Sequence, residues 1–270
     1  MAKPSAQSPA AIEAPTTTTD WISRINFCGG NKGGVGKSTL ARTLMEWHLG
    51  KLGNKDDVLG FDCDAEDTPD FYGCYKNYAE VITSRFSDDR DNNTAANDIF
   101  NRAVAGKKNI IVNMPATAHQ SFQQWLRSNG VVQLAQEHRV QLVIWFVTSG
   151  EYDSIKPLEI SIKEFLDIPH VIVKNQKYRD WEYFDQLETL KKLIEQHQCK
   201  QMELPYLYTS YASRILANRL SFGAAYKPDT QIVEPGKEPV EFFILERQNV
   251  WEYMKGSYAA FEETGYLPIA

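Results

Sequence analysis

The chain has 270 residues, 29 basic and 35 acidic, for a formal net charge of −6 at pH 7. That length suits one large α/β domain or two small ones with a sizeable core, and the acidic balance excludes a globally basic nucleic-acid binder while leaving room for a local basic patch. The four cysteines, Cys28, Cys63, Cys74 and Cys199, contain no C-x-x-C pair, which argues against a zinc site or a disulfide framework and makes the cytoplasm the expected compartment.

Met1 to Asp20 is rich in Ala, Pro, Ser and Thr and lacks the apolar core of a secretory signal, so a disordered leader is expected. No apolar run approaches the ~20 residues of a membrane span, and no membrane insertion is expected. Ile22 to Cys28 has the pattern of a buried strand, and Thr39 to Leu52 that of a helix with Leu40, Leu44 and Leu49 on one face. Between them lies Gly29-Gly30-Asn31-Lys32-Gly33-Gly34-Val35-Gly36-Lys37-Ser38-Thr39, in the strand, loop, helix setting that a phosphate-binding loop needs. Gly33, Gly34 and Gly36 let the main chain curl so that its N–H groups converge on an anion, and the helix that follows adds the positive end of its dipole. Lys37 is placed to neutralise β and γ phosphates, and Ser38 to complete the coordination of Mg²⁺. The natural guest is a nucleoside triphosphate.

Val58-Leu59-Gly60-Phe61-Asp62-Cys63-Asp64 is a short apolar strand that ends in two acids. From Ala65 to Asn109 the chain is polar, with Glu66, Asp67, Asp70, Asp88, Asp89 and Asp91 among its acids and a helix expected over Asn97 to Ala105. The ligand spacing of a calcium loop is missing there, so a solvated face is expected. Asn109 to Asn113 reads as a buried strand followed by Met114 and Pro115, and Gln141 to Thr148 as the next one, with a returning helix over Ser154 to Leu166. Val171 to Asn175 is a further strand, Trp181 to His197 an amphipathic helix, and Met202 to Tyr206 a strand with a proline turn. Ser210 to Leu220 is a helix that carries Arg214 and Arg219, and Glu241 to Tyr258 a terminal helix with Phe242, Phe243, Leu245, Val250, Trp251 and Tyr253. Strands alternating with helices imply a doubly wound, mostly parallel α/β sheet flanked by helices, with ligands beyond the carboxyl ends of the strands.

The run Lys32-Gly33-Gly34-Val35-Gly36-Lys37-Ser38 resembles the deviant phosphate loop of the ParA/MinD family of ATPases, a SIMIBI-like branch of the P-loop NTPases. The usual first glycine of the motif is here Asn31, a position that is often not glycine in that family. The resemblance covers most of residues 22–226 and implies ATP and Mg²⁺ as cofactors, with Asn31 to Thr39 around the phosphates. Lys32 would reach across a dimer interface to the partner's nucleotide, which makes the homodimer depend on ATP. Asp62 and Asp64 match the Asp-x-Asp that opens switch I; Asp64 would orient the attacking water or the Mg²⁺ shell, with Asp62 beside it. The plainer alternative is a strand-end cap and a solvated acid. Asn113 stands where the family has the Walker B aspartate, a departure that implies either slow hydrolysis with ATP as a switch or an acid supplied by Asp62 or Asp64. Asn175 matches an asparagine that reads adenine, with a strand-end turn former as the alternative, and Pro205 the loop that closes over the base.

On this reading residues 21–226 are an ATPase domain and 227–270 a loop and helix packed on it. The expected catalytic groups are Lys32, Lys37 and Asp64, and the expected metal-side groups Ser38, Asp62 and Asn113. The implied function is an ATP-dependent dimerising switch in plasmid or chromosome partition or in DNA transfer, with a partner protein that stimulates hydrolysis and non-specific DNA as a further partner. Arg214 and Arg219 would touch that DNA, cap the fold or bind an acidic partner. An ATP-switched scaffold with weak hydrolysis is the competing reading, and a small-molecule enzyme or metal-cluster carrier of the same superfamily is the third.

Overall fold

The computed structural model of the chain describes residues 20–64, 70–87, 89, 94–236 and 238–270. Residues 1–19 of the expected leader, and Glu66, Asp67, Asp88 and Asp91 of the polar stretch, lie outside the described residues. The chain runs β1 (Ser23–Gly29), α1 (Lys37–Leu52), β2 (Val58–Asp62), α2 (Asp70–Tyr75), β3 (Glu80–Thr83), α3 (Asn97–Val104), β4 (Asn109–Asn113), α4 (His119–Ser128), α5 (Val131–Glu137) and β5 (Val140–Thr148). It continues through α6 (Tyr152–Glu164), β6 (His170–Asn175), α7 (Glu182–Gln186), α8 (Glu188–Gln196), β7 (Lys200–Leu204), α9 (Thr209–Ala217), α10 (Phe222–Ala225), β8 (Gln231–Ile232), β9 (Val240–Glu241) and α11 (Ile244–Thr264).

Seven of the described strands form one parallel sheet in the order β3-β2-β4-β1-β5-β6-β7. The strands are apolar runs because helices cover both faces, and alternate residues feed two cores. In β5, Leu142, Ile144 and Phe146 enter the core under α3 to α6 and α8, while Val143, Trp145 and Val147 enter the one under α1, α2 and α9 to α11. This is the expected doubly wound, parallel α/β sheet flanked by helices. From β1 the chain first moves to one side, to β2 and β3, and after β4 to the other, through β5 to β7. The crevice where these directions part lies at the carboxyl end of β1, the place where such sheets bind ligands.

Two expected helices differ in extent. The segment 181–197 is two helices, because Leu187 adopts an extended conformation (φ −79°, ψ 92°) between them; the break lets Phe184 and Leu190 both reach the core. The terminal helix spans Ile244–Thr264, and its later turns bury Val250, Tyr253, Met254 and Phe261. Phe261 lies 5.1 Å from the Trp47 ring and 5.7 Å from that of Trp145, which ties α11 to α1 and the sheet. Phe243 and Leu245, expected on the packing side, are 71% exposed.

Candidate functional site

The phosphate loop is squeezed at both ends. Gly36 closes it in a left-handed conformation (φ 108°), where a Cβ would lie 2.5 Å from Asn175 Nδ2. Gly30 opens it at φ 151°, where a Cβ would sit 2.7 Å from the Val147 carbonyl oxygen. Neither position admits a side chain. Between them Val35 is fully buried and anchors the loop, its carbonyl accepting from Asn175 Nδ2 at 2.6 Å, and the Tyr178 hydroxyl donates to the Gly34 carbonyl at 3.2 Å. Asn31 and Gly33 are exposed.

α1 starts at this loop with no side-chain cap and no acid in its first turn, so its first N–H groups and the positive end of its dipole are left for an external anion. Lys37, 5% exposed, makes no side-chain hydrogen bond or ion pair among the described residues. Burial pushes its ammonium below the usual lysine value, and the Asp64 carboxylate works in the opposite direction. A buried cation of this kind is costly until an anion joins it. Asp64 itself is exposed.

Ser38, Asp62 and Asn113 meet beside Lys37. β2 and β4 pair with Asp62 opposite Asn113, and Asn113 Nδ2 donates to Asp62 Oδ1 at 2.9 Å and approaches Ser38 Oγ at 3.3 Å. The fully buried Asp62 also accepts from the backbone N–H groups of Phe71 (3.1 Å) and Tyr72 (2.9 Å), so its carboxylate holds the start of α2 as well. In this geometry Asp62 caps the start of α2 and accepts from Asn113. With Nδ2 committed, Asn113 Oδ1 is buried with no donor among the described residues. An orphaned acceptor next to a hydroxyl suits the water shell of a hard cation, so these residues fit Mg²⁺. Among the described residues no three His, Cys, Asp or Glu side chains cluster as metal ligands; Mg²⁺ commonly takes most of its ligands from phosphates and water.

The other loop lysine has a different environment. Lys32 Nζ is held by Glu151 and by Asp153 (2.9 Å) at the start of α6, and Ser149 Oγ donates to the same Glu151 at 3.1 Å. These bonds raise the pKa of Lys32 and lower that of Glu151. Within one chain, then, Lys32 is latched in cis. Asn175, 5% exposed, has its amide engaged at both ends, donating to Val35 and accepting from Lys177 N–H at 3.0 Å. Together with Gly36, Thr39, Lys177, Pro205 and Tyr206 it lines a cavity of about 270 Å³ next to the phosphate loop.

Of the motif residues, Ser38, Asp62 and Asn113 are joined by hydrogen bonds beside Lys37, and Asn175 and Pro205 line the cavity next to the loop. Of the late arginines, Arg214 is engaged by Glu246 (2.6 Å) and Glu234 (3.3 Å), a role within the fold. Gly30 is marked in the sequence only by the Gly-Gly pair at a strand end, and Glu151 and Asp153 only by their place at a helix start, too ordinary a signal to single them out.

No family model matches the chain, and no curated protein matches it. Among solved structures the chain is similar to the MinD cell division protein of Aquifex aeolicus, at 14% identity and a TM-score of 0.49 over 92% of this chain and 99% of that one. It is also similar to the MinC:MinD cell division protein complex of Aquifex aeolicus, at 14% identity and a TM-score of 0.47 over 92% and 98%. The fold and the crevice are read from this chain's own strand order and loop geometry.

Proposed function

We propose that this chain binds Mg-ATP in the crevice at the end of β1, dimerises around it and resets by hydrolysis, acting as a positional switch in plasmid or chromosome partition or in DNA transfer. The observation that carries this reading is the buried Lys37, with no side-chain hydrogen bond or ion pair among the described residues, at an uncapped helix start beside the Ser38, Asp62 and Asn113 cluster. Lys37 and the first N–H groups of α1 bind and neutralise phosphate oxygens, and Ser38 with Asn113 holds the hydrated Mg²⁺ side. Mg²⁺, when bound, supplies charge neutralisation across the phosphates. Asp62 gives the cluster the negative charge that Asn113 lacks, through the 2.9 Å bond. Asp64, whose charge reaches Lys37, orients the attacking water. The base takes the cavity beside Asn175 and Pro205.

Lys32 is the across-dimer residue. Its transfer from Glu151 and Asp153 to a partner's phosphates makes dimerisation depend on nucleotide, because only the triphosphate carries the γ-phosphate that adds charge for a lysine to reach. A partner protein that stimulates hydrolysis and non-specific DNA complete the cycle. Asn113 favours a second reading, an ATP-switched scaffold with weak hydrolysis, since a neutral amide organises the cation shell less strongly than a carboxylate. Titration with a fluorescent ATP analogue tests the site itself: wild type binds with Mg²⁺, Lys37→Ala loses binding, and Ser38→Ala loses the Mg²⁺-dependent part. Equal binding by wild type and Lys37→Ala would remove the crevice from consideration.

A further inference from the structure

The loops that follow β6 and β7 leave neighbouring strands on the same side of the sheet. Three tyrosines of the second loop and the helix it enters form a chain of rings: Tyr206 and Tyr208 have centroids 5.4 Å apart, and Tyr208 and Tyr211 also 5.4 Å. Tyr211 is half-buried against the core, whereas Tyr206 and Tyr208 are 41% and 50% exposed. The first loop supplies two cations. Arg179 and Lys177 form no ion pair among the described residues, and Lys177 lies 5.9 Å from the Tyr178 ring centroid. Lys177 and Tyr206 line one cavity, which places that cation beside the ladder; Thr209, which hydrogen-bonds the Tyr206 hydroxyl, lowers the pKa of that group, and the charges of Arg179 and Lys177 lower it further. The acid that follows them in this loop, Asp180, accepts from the Glu182 backbone N–H at 3.0 Å.

Two exposed tyrosine rings, tilted against one another and backed by Tyr211, beside cations that form no ion pair among the described residues, match the two surfaces of an unpaired strand: bases stack on rings, and phosphates sit on cations. A duplex hides its base faces and cannot use the rings. We propose that the Tyr206, Tyr208 and Tyr211 ladder, with Lys177 and Arg179, binds single-stranded nucleic acid. This site goes beyond the nucleotide switch and stands apart from the phosphate loop, although Tyr206 and Lys177 also border the cavity there. Tyr208 and Arg179 do not line that cavity, so they are the residues to change.

The test is fluorescence anisotropy of the full chain with labelled oligo(dT) of about 20 nucleotides, against a duplex of equal length, with binding of a fluorescent ATP analogue measured in parallel. Wild type is expected to prefer the single strand, Tyr208→Ala to bind it about fivefold to a hundredfold more weakly, and Tyr208→Phe to bind as wild type does. Arg179→Ala is expected to reduce the slope of log affinity against log salt by about 0.7. Equal affinity for the duplex, unchanged binding in Tyr208→Ala, or no binding by wild type would each overturn the proposal. The parallel nucleotide titration reports on the phosphate loop separately, so failure at one site is not mistaken for failure at the other.

Discussion

Replacing Asn113 by aspartate would put a second carboxylate beside the fully buried Asp62, where an amide now donates at 2.9 Å. Two carboxylates so close cannot both ionise cheaply, so the pKa of the pair rises in the folded state. The folded chain then keeps a proton that the unfolded chain releases, and stability falls as pH rises from the unfolded carboxyl value to the raised folded one. The loss is about 1.4 kcal/mol for each unit of that rise. Thermal unfolding of Asn113→Asp at about pH 5 and about pH 8 is expected to show a larger deficit against wild type at the higher pH, narrowed by Mg-ATP. A deficit that ignores both pH and Mg-ATP would mean that the pairing with Asp62 is not what holds Asn113. Sequence showed Asn113 as a departure from the family and Asp62 as a strand-end acid, but not that they touch. Their contact depends on the parallel register of β2 and β4, which no local pattern encodes.

Elements are pinned by groups that must stay neutral. His48 of α1 is buried, with Nδ1 on the Leu44 carbonyl and no partner for Nε2 among the described residues, and burial lowers its pKa to about 4. His170 at the start of β6 is likewise lowered to about 4 by burial, and it links to Ser161 of α6 at 3.0 Å and to the Ile168 carbonyl at 2.9 Å. Unfolding returns each imidazole to a value near 6.5, so the unfolded chain binds more protons in acid. The stability due to the neutral rings is complete above the unfolded value and is lost as pH falls through the folded one, by up to roughly 3 kcal/mol for each histidine. Urea midpoints between pH 6.5 and pH 4 are expected to fall steeply for wild type and less so for His48→Leu or His170→Gln. Parallel slopes for all three proteins would assign the acid sensitivity to other groups. The strands around these histidines were legible because both faces of the sheet are covered and the runs are continuously apolar. The helix break at Leu187 was not, since the pattern over 181–197 stays amphipathic on either side of it.

For the molecule as a whole, the sheet order sets the function proposed. The chain departs from β1 in two directions, and the motif residues sit at carboxyl strand ends (Asp62, Asn113, Asn175), just beyond one (Pro205) or at the start of α1 (Lys37, Ser38). That much follows from alternating elements and one glycine-rich run. The cis latch of Lys32 on Glu151 and Asp153 does not, because it joins residues more than a hundred positions apart through the β1 and β5 pairing. Static light scattering on the chain alone, with Mg-ADP and with a non-hydrolysable Mg-ATP analogue, for wild type and Lys32→Ala, probes the switch most directly. The mass is expected to double only for wild type with the triphosphate analogue and to stay monomeric in Lys32→Ala. A mass that ignores nucleotide in a wild-type chain that binds it, or a Lys32→Ala chain that dimerises as well as wild type, would contradict the switch.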